Sequence, residues 1–108
     1  MPKGYVILTE DIKDPEGMET YGRLSAQALV ESKARVLAVD LNPEVLEGEW
    51  HGTRTVVVEF ASVEAAHAWY ESESYQKALP ARKAAADCNV AILSGFELPA
   101  RPSRPGGE

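Results

Sequence analysis

Few side chains in this sequence could do chemistry. His67 and His51 can each take or give a proton near neutral pH, because imidazole titrates there. Tyr75 offers a phenol that can donate a hydrogen bond or relay a proton. Arg54 and Arg82 carry planar guanidinium forks suited to a substrate carboxylate. Trp69 and Tyr70 could wall an apolar pocket. His67 and Tyr75 are therefore the candidate catalytic residues. Arg54, Trp69, Tyr70, Arg82 and His51 are the candidate substrate-binding residues.

Each has a structural alternative. A lone histidine is commonly a surface residue, and aromatics at helical spacing commonly belong to the core. Arg54 could pair with Glu47 or Glu73, and Arg82 could cap a helix or join an ion pair. The one cysteine, Cys88, reads as a buried structural thiol. Two histidines without ligand spacing do not make a zinc site. Phosphate loops, nucleophile elbows and dinucleotide fingerprints do not occur. No metal and no cofactor are expected.

The elements that carry these residues follow from periodicity. Thr53 to Phe60 is rich in β-branched residues and reads as a strand. It sets Arg54, Val56, Val58 and Phe60 on one face, with Thr55, Val57 and Glu59 on the other. Ser62 is an N-cap, and Val63, Ala66, Trp69 and Tyr70 share a helix face with His67 at its edge. Ser72 could cap a further turn, after which Pro80 is expected to kink the segment or begin a separate short helix.

Gly4 to Ile12 alternates as a first strand, with Val6, Leu8 and Glu10 on one side. Asp14-Pro15-Glu16 starts a helix that runs to about Glu31 or Ser32. Ala34 to Leu41 is a second strand, and Val45 to Gly48 could extend its pairing. Cys88 to Phe96 is the last strand.

The order is β-α-β-β-α-β: an α+β, ferredoxin-like fold with two helices on one face of a four-stranded antiparallel sheet. Residues 1–97 form one domain. Residues 98–108 hold three prolines and two glycines and read as a flexible tail or an arm that wraps a partner.

Two helices cover one sheet face, yet Ile7, Val57 and Val90 or Ala91 would put aliphatic groups on the other. A second copy packed sheet to sheet would bury them, at roughly 1.5–3 kcal/mol for each side chain. A homodimer is expected. The formal net charge of -6 argues against nucleic acid, and no apolar run is long enough to span a bilayer. A single cysteine fits a reducing cytoplasm.

The run Arg54-Thr-Val-Val-Val-Glu-Phe60, the helix start Ser62-Val-Glu-Ala-Ala66, Trp69-Tyr70-Glu-Ser72, Glu73-Ser-Tyr75 and Arg82 carry a resemblance. The chain resembles the bacterial domain-of-unknown-function family thirteen-thirty, of the dimeric α+β barrel superfamily. The second strand departs from that pattern. The family often has Gly-Gly before it and Arg-Gly-Gly after it, where this chain has Ser32-Lys33-Ala34 and Val39-Asp40-Leu41. The resemblance implies a dimeric barrel and no single reaction, since the superfamily includes cofactor-free monooxygenases, a lactone isomerase and haem enzymes.

Three readings stay open from sequence. The first is an enzyme or binder of a small carboxylic or aromatic molecule, with a pocket between sheet and helices. The second is a non-catalytic dimeric ligand-sensing or interaction module. The third is a cofactor-independent monooxygenase.

Overall fold

The alternation of β1 (Gly4–Ile12) resolves in a computed structural model, which describes residues 2–97, into one buried and one half-covered face. It is followed by α1 (Pro15–Glu31), β2 (Arg35–Asp40), β3 (Arg54–Phe60), α2 (Val63–Glu71), α3 (Glu73–Ala85) and β4 (Ala86–Ser94). The strands lie in the order β4-β1-β3-β2, every neighbouring pair antiparallel. This is the ferredoxin-like α+β fold expected from the element order. The expectation for residues 98–108 falls outside the described residues.

Register decides which side chains meet. Val6 pairs with Val58 and with Ile92, and Glu10 pairs with Arg54 and with Cys88. These residues share the helix-covered face, where Val6, Leu8, Val56, Val58 and Phe60 form the floor of the core. The opposite face presents Tyr5, Ile7 and Thr9 beside Val57 and Glu59, with Ala91 and Leu93 from β4. Ala91, rather than Val90, belongs to this uncovered face.

The helices begin where the sequence provides acceptors. Ser62 Oγ accepts the Ala65 N–H at 3.0 Å. Ser72 serves two helices: its Oγ donates to the Trp69 carbonyl at 2.8 Å and accepts the Tyr75 N–H at 3.1 Å. It thus closes α2 and opens α3. Asp14 stands at the N-cap of α1 without a side-chain hydrogen bond, and Pro15 supplies the helical φ.

At the other end of α1, Ala34 N–H bonds to Leu29 O at 3.0 Å and Lys33 N–H to Val30 O at 3.1 Å. This paired pattern requires a left-handed residue, and Lys33 takes it, with φ 55.

Three boundaries differ from the sequence expectations. Pro80 does not begin a separate helix, since α3 runs through it. Pro80 is exposed, so water can satisfy the carbonyl that its missing N–H leaves free. Val45 to Gly48 does not extend β2. That loop instead turns through Gly48 at φ 79 and fastens onto the uncovered sheet face, where Trp50 Nε1 donates to Thr55 Oγ1 at 2.8 Å. Finally, β4 starts at Ala86, directly after α3, two residues before its expected start.

Candidate functional site

Glu10 follows Val6 and Leu8 on the buried face of β1, so strand alternation carries a carboxylate into the core. It is 1% exposed. Arg54, its partner across β3, brings Nε to 3.0 Å from Glu10 Oε1. The separation makes an ion pair, but the N–H is not aimed at the oxygen, and both atoms lack a hydrogen bond among the described residues. The expected partners Glu47 and Glu73 are not the ones used.

Arg82 reaches the same cluster from α3. It is 5% exposed, and its Nε and Nη1 have no hydrogen-bond partner among the described residues. Burial pushes the Glu10 carboxyl above its usual range, while the charges of Arg54 and Arg82 pull it back. Cys88, opposite Glu10 on β4, is pushed up to about 11, first by burial and then by the Glu10 charge. It is a thiol rather than a thiolate at neutral pH.

Two tyrosines complete the buried polar group. Tyr21 of α1 and Tyr75 of α3 share a hydrogen bond between hydroxyls at 2.9 Å. Their rings meet edge to face at 6.1 Å and 82°. Burial raises both phenols, so both stay protonated. Tyr75 also packs against Trp69 with ring centroids 4.2 Å apart. The Trp69 Nε1 is buried without a hydrogen-bond acceptor among the described residues.

A cavity of about 200 Å³ lies between α1 and the sheet. Glu10, Tyr21, Arg54 and Trp69 line it, with aliphatic walls from Leu8, Val56 and Val58. Of the residues singled out from sequence, Arg54 and Trp69 reach this cavity. Tyr75 and Arg82 stand behind it, Tyr75 through its bond to Tyr21 and Arg82 through its charge on Glu10 and Tyr21.

The remaining three lie elsewhere. His67 and Tyr70 border a surface groove of about 620 Å³ between α2 and β4, with Val63, Val90 and Ile92. His51 is on the uncovered sheet face, where its Nδ1 is 2.8 Å from Thr9 Oγ1 and its Nε2 is 3.7 Å from Asp87 Oδ2. Among the described residues, no three histidine, cysteine or acidic side chains gather to hold a metal ion. Nor is any helix among them long and apolar enough to cross a membrane.

Glu10 and Tyr21 were not among the sequence candidates, although both lie at periodic core positions. The signal for Glu10 is an acid in line with Val6 and Leu8, matched by Arg54 in line with Val56 and Val58. Only the pairing of β1 with β3 turns those two anomalies into one pair. Tyr21 carries no such signal, because an aromatic on the inner face of a helix is ordinary core.

The fold has solved counterparts. A protein of unknown function from Rhodopseudomonas palustris superposes with a TM-score of 0.75 at 18% identity, over 90% of this chain and 85% of that one. SnoaB, a cofactor-independent oxygenase from Streptomyces nogalater, gives 0.62 at 10% identity, over 97% of this chain and 99% of its own. A dimeric ferredoxin-like protein of unknown function from Thermobifida fusca gives 0.59 at 10%, over 86% and 91%. At these identities the likeness is one of fold. No curated protein matches the chain. Residues 3–96 match a single family over nearly the whole described length, and the chain belongs to that family, described as a domain of unknown function (DUF1330).

Proposed function

We propose that this protein binds a small carboxylic or aromatic molecule in the cavity between α1 and the sheet, and does so as a homodimer. The observation that supports binding is the set of buried polar atoms left without hydrogen bonds around one cavity. Arg54 Nε, Trp69 Nε1 and Glu10 Oε1 belong to residues that line it, and Arg82 Nε and Nη1 lie behind. A buried donor without an acceptor costs about 1–3 kcal/mol, and a bound polar group would satisfy several at once. Trp69 gives an aromatic wall, Arg54 a cation at the rim, and Arg82 a fixed positive charge underneath. Glu10 is the group placed to exchange a proton with a bound molecule, because burial holds its proton more firmly than water would.

The dimer reading rests on the uncovered sheet face, where Ile7, Val57, Ala91 and Leu93 put aliphatic groups on the side away from the helices. The Thermobifida fusca neighbour, described as dimeric, agrees with it. A cytoplasmic setting suits the single free cysteine. The fold likeness to an oxygenase does not by itself bring oxygen chemistry to this chain.

Native mass spectrometry of the purified protein, followed by denaturing spectra of the same sample, tests both parts. The expected result is a dimer carrying a reproducible small mass that denaturation releases and that Arg54→Ala lowers in occupancy. Val57→Asp should give monomers. A monomeric wild type removes the assembly, and no ligand mass and no binding of any carboxylic or aromatic probe removes the pocket.

A further inference from the structure

Gly22 and Arg54 line two spaces at once. They border the cavity against Trp69 and also a more open groove bounded by Ile12, Pro15, Met18 and Glu19. The inner space is about 200 Å³ and the outer about 540 Å³. The two residues therefore stand between the two spaces.

Gly22 sits in the middle of α1, where glycine weakens a helix relative to alanine. Packing does not require it, since a Cβ built at that position meets nothing within 4 Å. Packing therefore gives no account of a helix-weakening residue placed between the two spaces.

Charge indicates what would occupy that position. When ionised, Arg54 and Arg82 bring two positive charges to the single negative charge of Glu10. The Arg54 Nε lies 3.0 Å from Glu10 Oε1, which leaves the terminal nitrogens of its fork for another anion. The inner walls beyond it are largely aliphatic, from Leu8, Val36, Val56 and Val58. Glu19 contributes the one acid of the outer groove, and it is exposed to screening water. Even with Glu10 ionised, positive charge is in excess beside Arg54, next to an apolar chamber.

We propose that the ligand is an elongated monocarboxylate, with its carboxylate at Arg54 and its apolar tail in the chamber against Trp69, and that Gly22 sets the width of the passage. This deepens the binding role proposed above and rests on it. No other residue of α1 lines both spaces, so Gly22 is the position where a side chain narrows the way in without entering the core.

The test compares wild type, Gly22→Leu and Arg54→Gln by titration calorimetry and by stopped-flow tryptophan fluorescence with octanoate and with octanol, alongside thermal melting. Wild type should prefer octanoate by about tenfold or more, the worth of a charge-assisted contact. Arg54→Gln should lose that preference while still taking octanol. Gly22→Leu should slow the association and the release of both compounds by roughly tenfold or more while leaving their affinities unchanged, with a melting point no lower than wild type because leucine favours the helix. Equal binding of acid and alcohol by wild type overturns the carboxylate assignment while leaving the cavity as a binding site. Unchanged association rates in Gly22→Leu overturn the passage, and a lowered melting point refutes free space at that position. If neither compound binds wild type, this inference falls, while the pocket reading stands or falls on the native mass spectrum.

Discussion

The hydroxyl pair between Tyr21 and Tyr75 gives a direct check on whether the cluster behind the cavity is dry. The two oxygens are 2.9 Å apart, and the residues are 6% and 0% exposed. Tyr75→Phe removes one hydroxyl, keeps the ring contact and leaves the other buried without its partner. A buried group left unpaired in this way costs about 1–3 kcal/mol, and Tyr21→Phe should cost a similar amount. The double variant strands nothing, so its cost should fall short of the sum by about 1 kcal/mol. Urea unfolding of the four proteins at one fixed concentration reads these differences through the midpoint, provided the slopes agree. Each 1 kcal/mol corresponds to a melting shift of roughly 4–8 °C for a domain of this size. Strict additivity would refute the reasoning. It would mean that each hydroxyl finds water when its partner is lost, and the desolvation invoked for Glu10 would lose its basis.

Two further outcomes follow from single positions. Lys33→Gly should raise stability by a few tenths to about 1 kcal/mol, because φ 55 strains a lysine and suits glycine; a loss on urea unfolding would count against the left-handed turn after α1. Glu10 governs the second. Its folded value is raised by burial, so the fold favours the neutral acid. Its contribution is then fully present below the ordinary value of 4.5 and declines as pH rises through the higher folded value. Glu10→Gln should remove that decline, and parallel stability-versus-pH curves for the two proteins would contradict it.

The fold was legible because strand and helix periods fall on separate stretches. Val6 and Leu8, then Val56, Val58 and Phe60, mark inner strand faces, and Ser62 marks a helix start that the Ala65 N–H confirms. The candidate site was legible in part. Arg54 and Trp69 reach the cavity because each lies on a face that the period already points inward. His67 could not be placed this way. It sits at the edge of its helix face, and a turn of a few tens of degrees decides between core and groove. His51 lies in a loop, whose course no period specifies, and it lands on the far side of the sheet beside Thr9. The run through Pro80 was hidden for a different reason. Proline's cost depends on whether the freed carbonyl can reach water, which is a property of the packed helix and not of the residue.

Glu10 is the position where stability and local pattern disagree. A leucine there would continue Val6 and Leu8 and would spare the desolvation of a carboxylate. Replacing buried ion pairs with apolar groups of similar volume is often neutral or stabilising. Nothing in the packing calls for two arginines and an acid between aliphatic strands, and their polar atoms are not even fully hydrogen-bonded. Such groups commonly mark where a protein acts rather than what holds it up. The same strands supply the uncovered face, so β1 alternates Glu10 and Leu8 toward the cavity with Thr9 and Ile7 toward the other side. A one-residue slip in β1 would exchange the two sets. The pairing of Glu10 with Arg54 and of Ile7 with Val57 therefore ties the proposed ligand site and the proposed dimer surface to a single register.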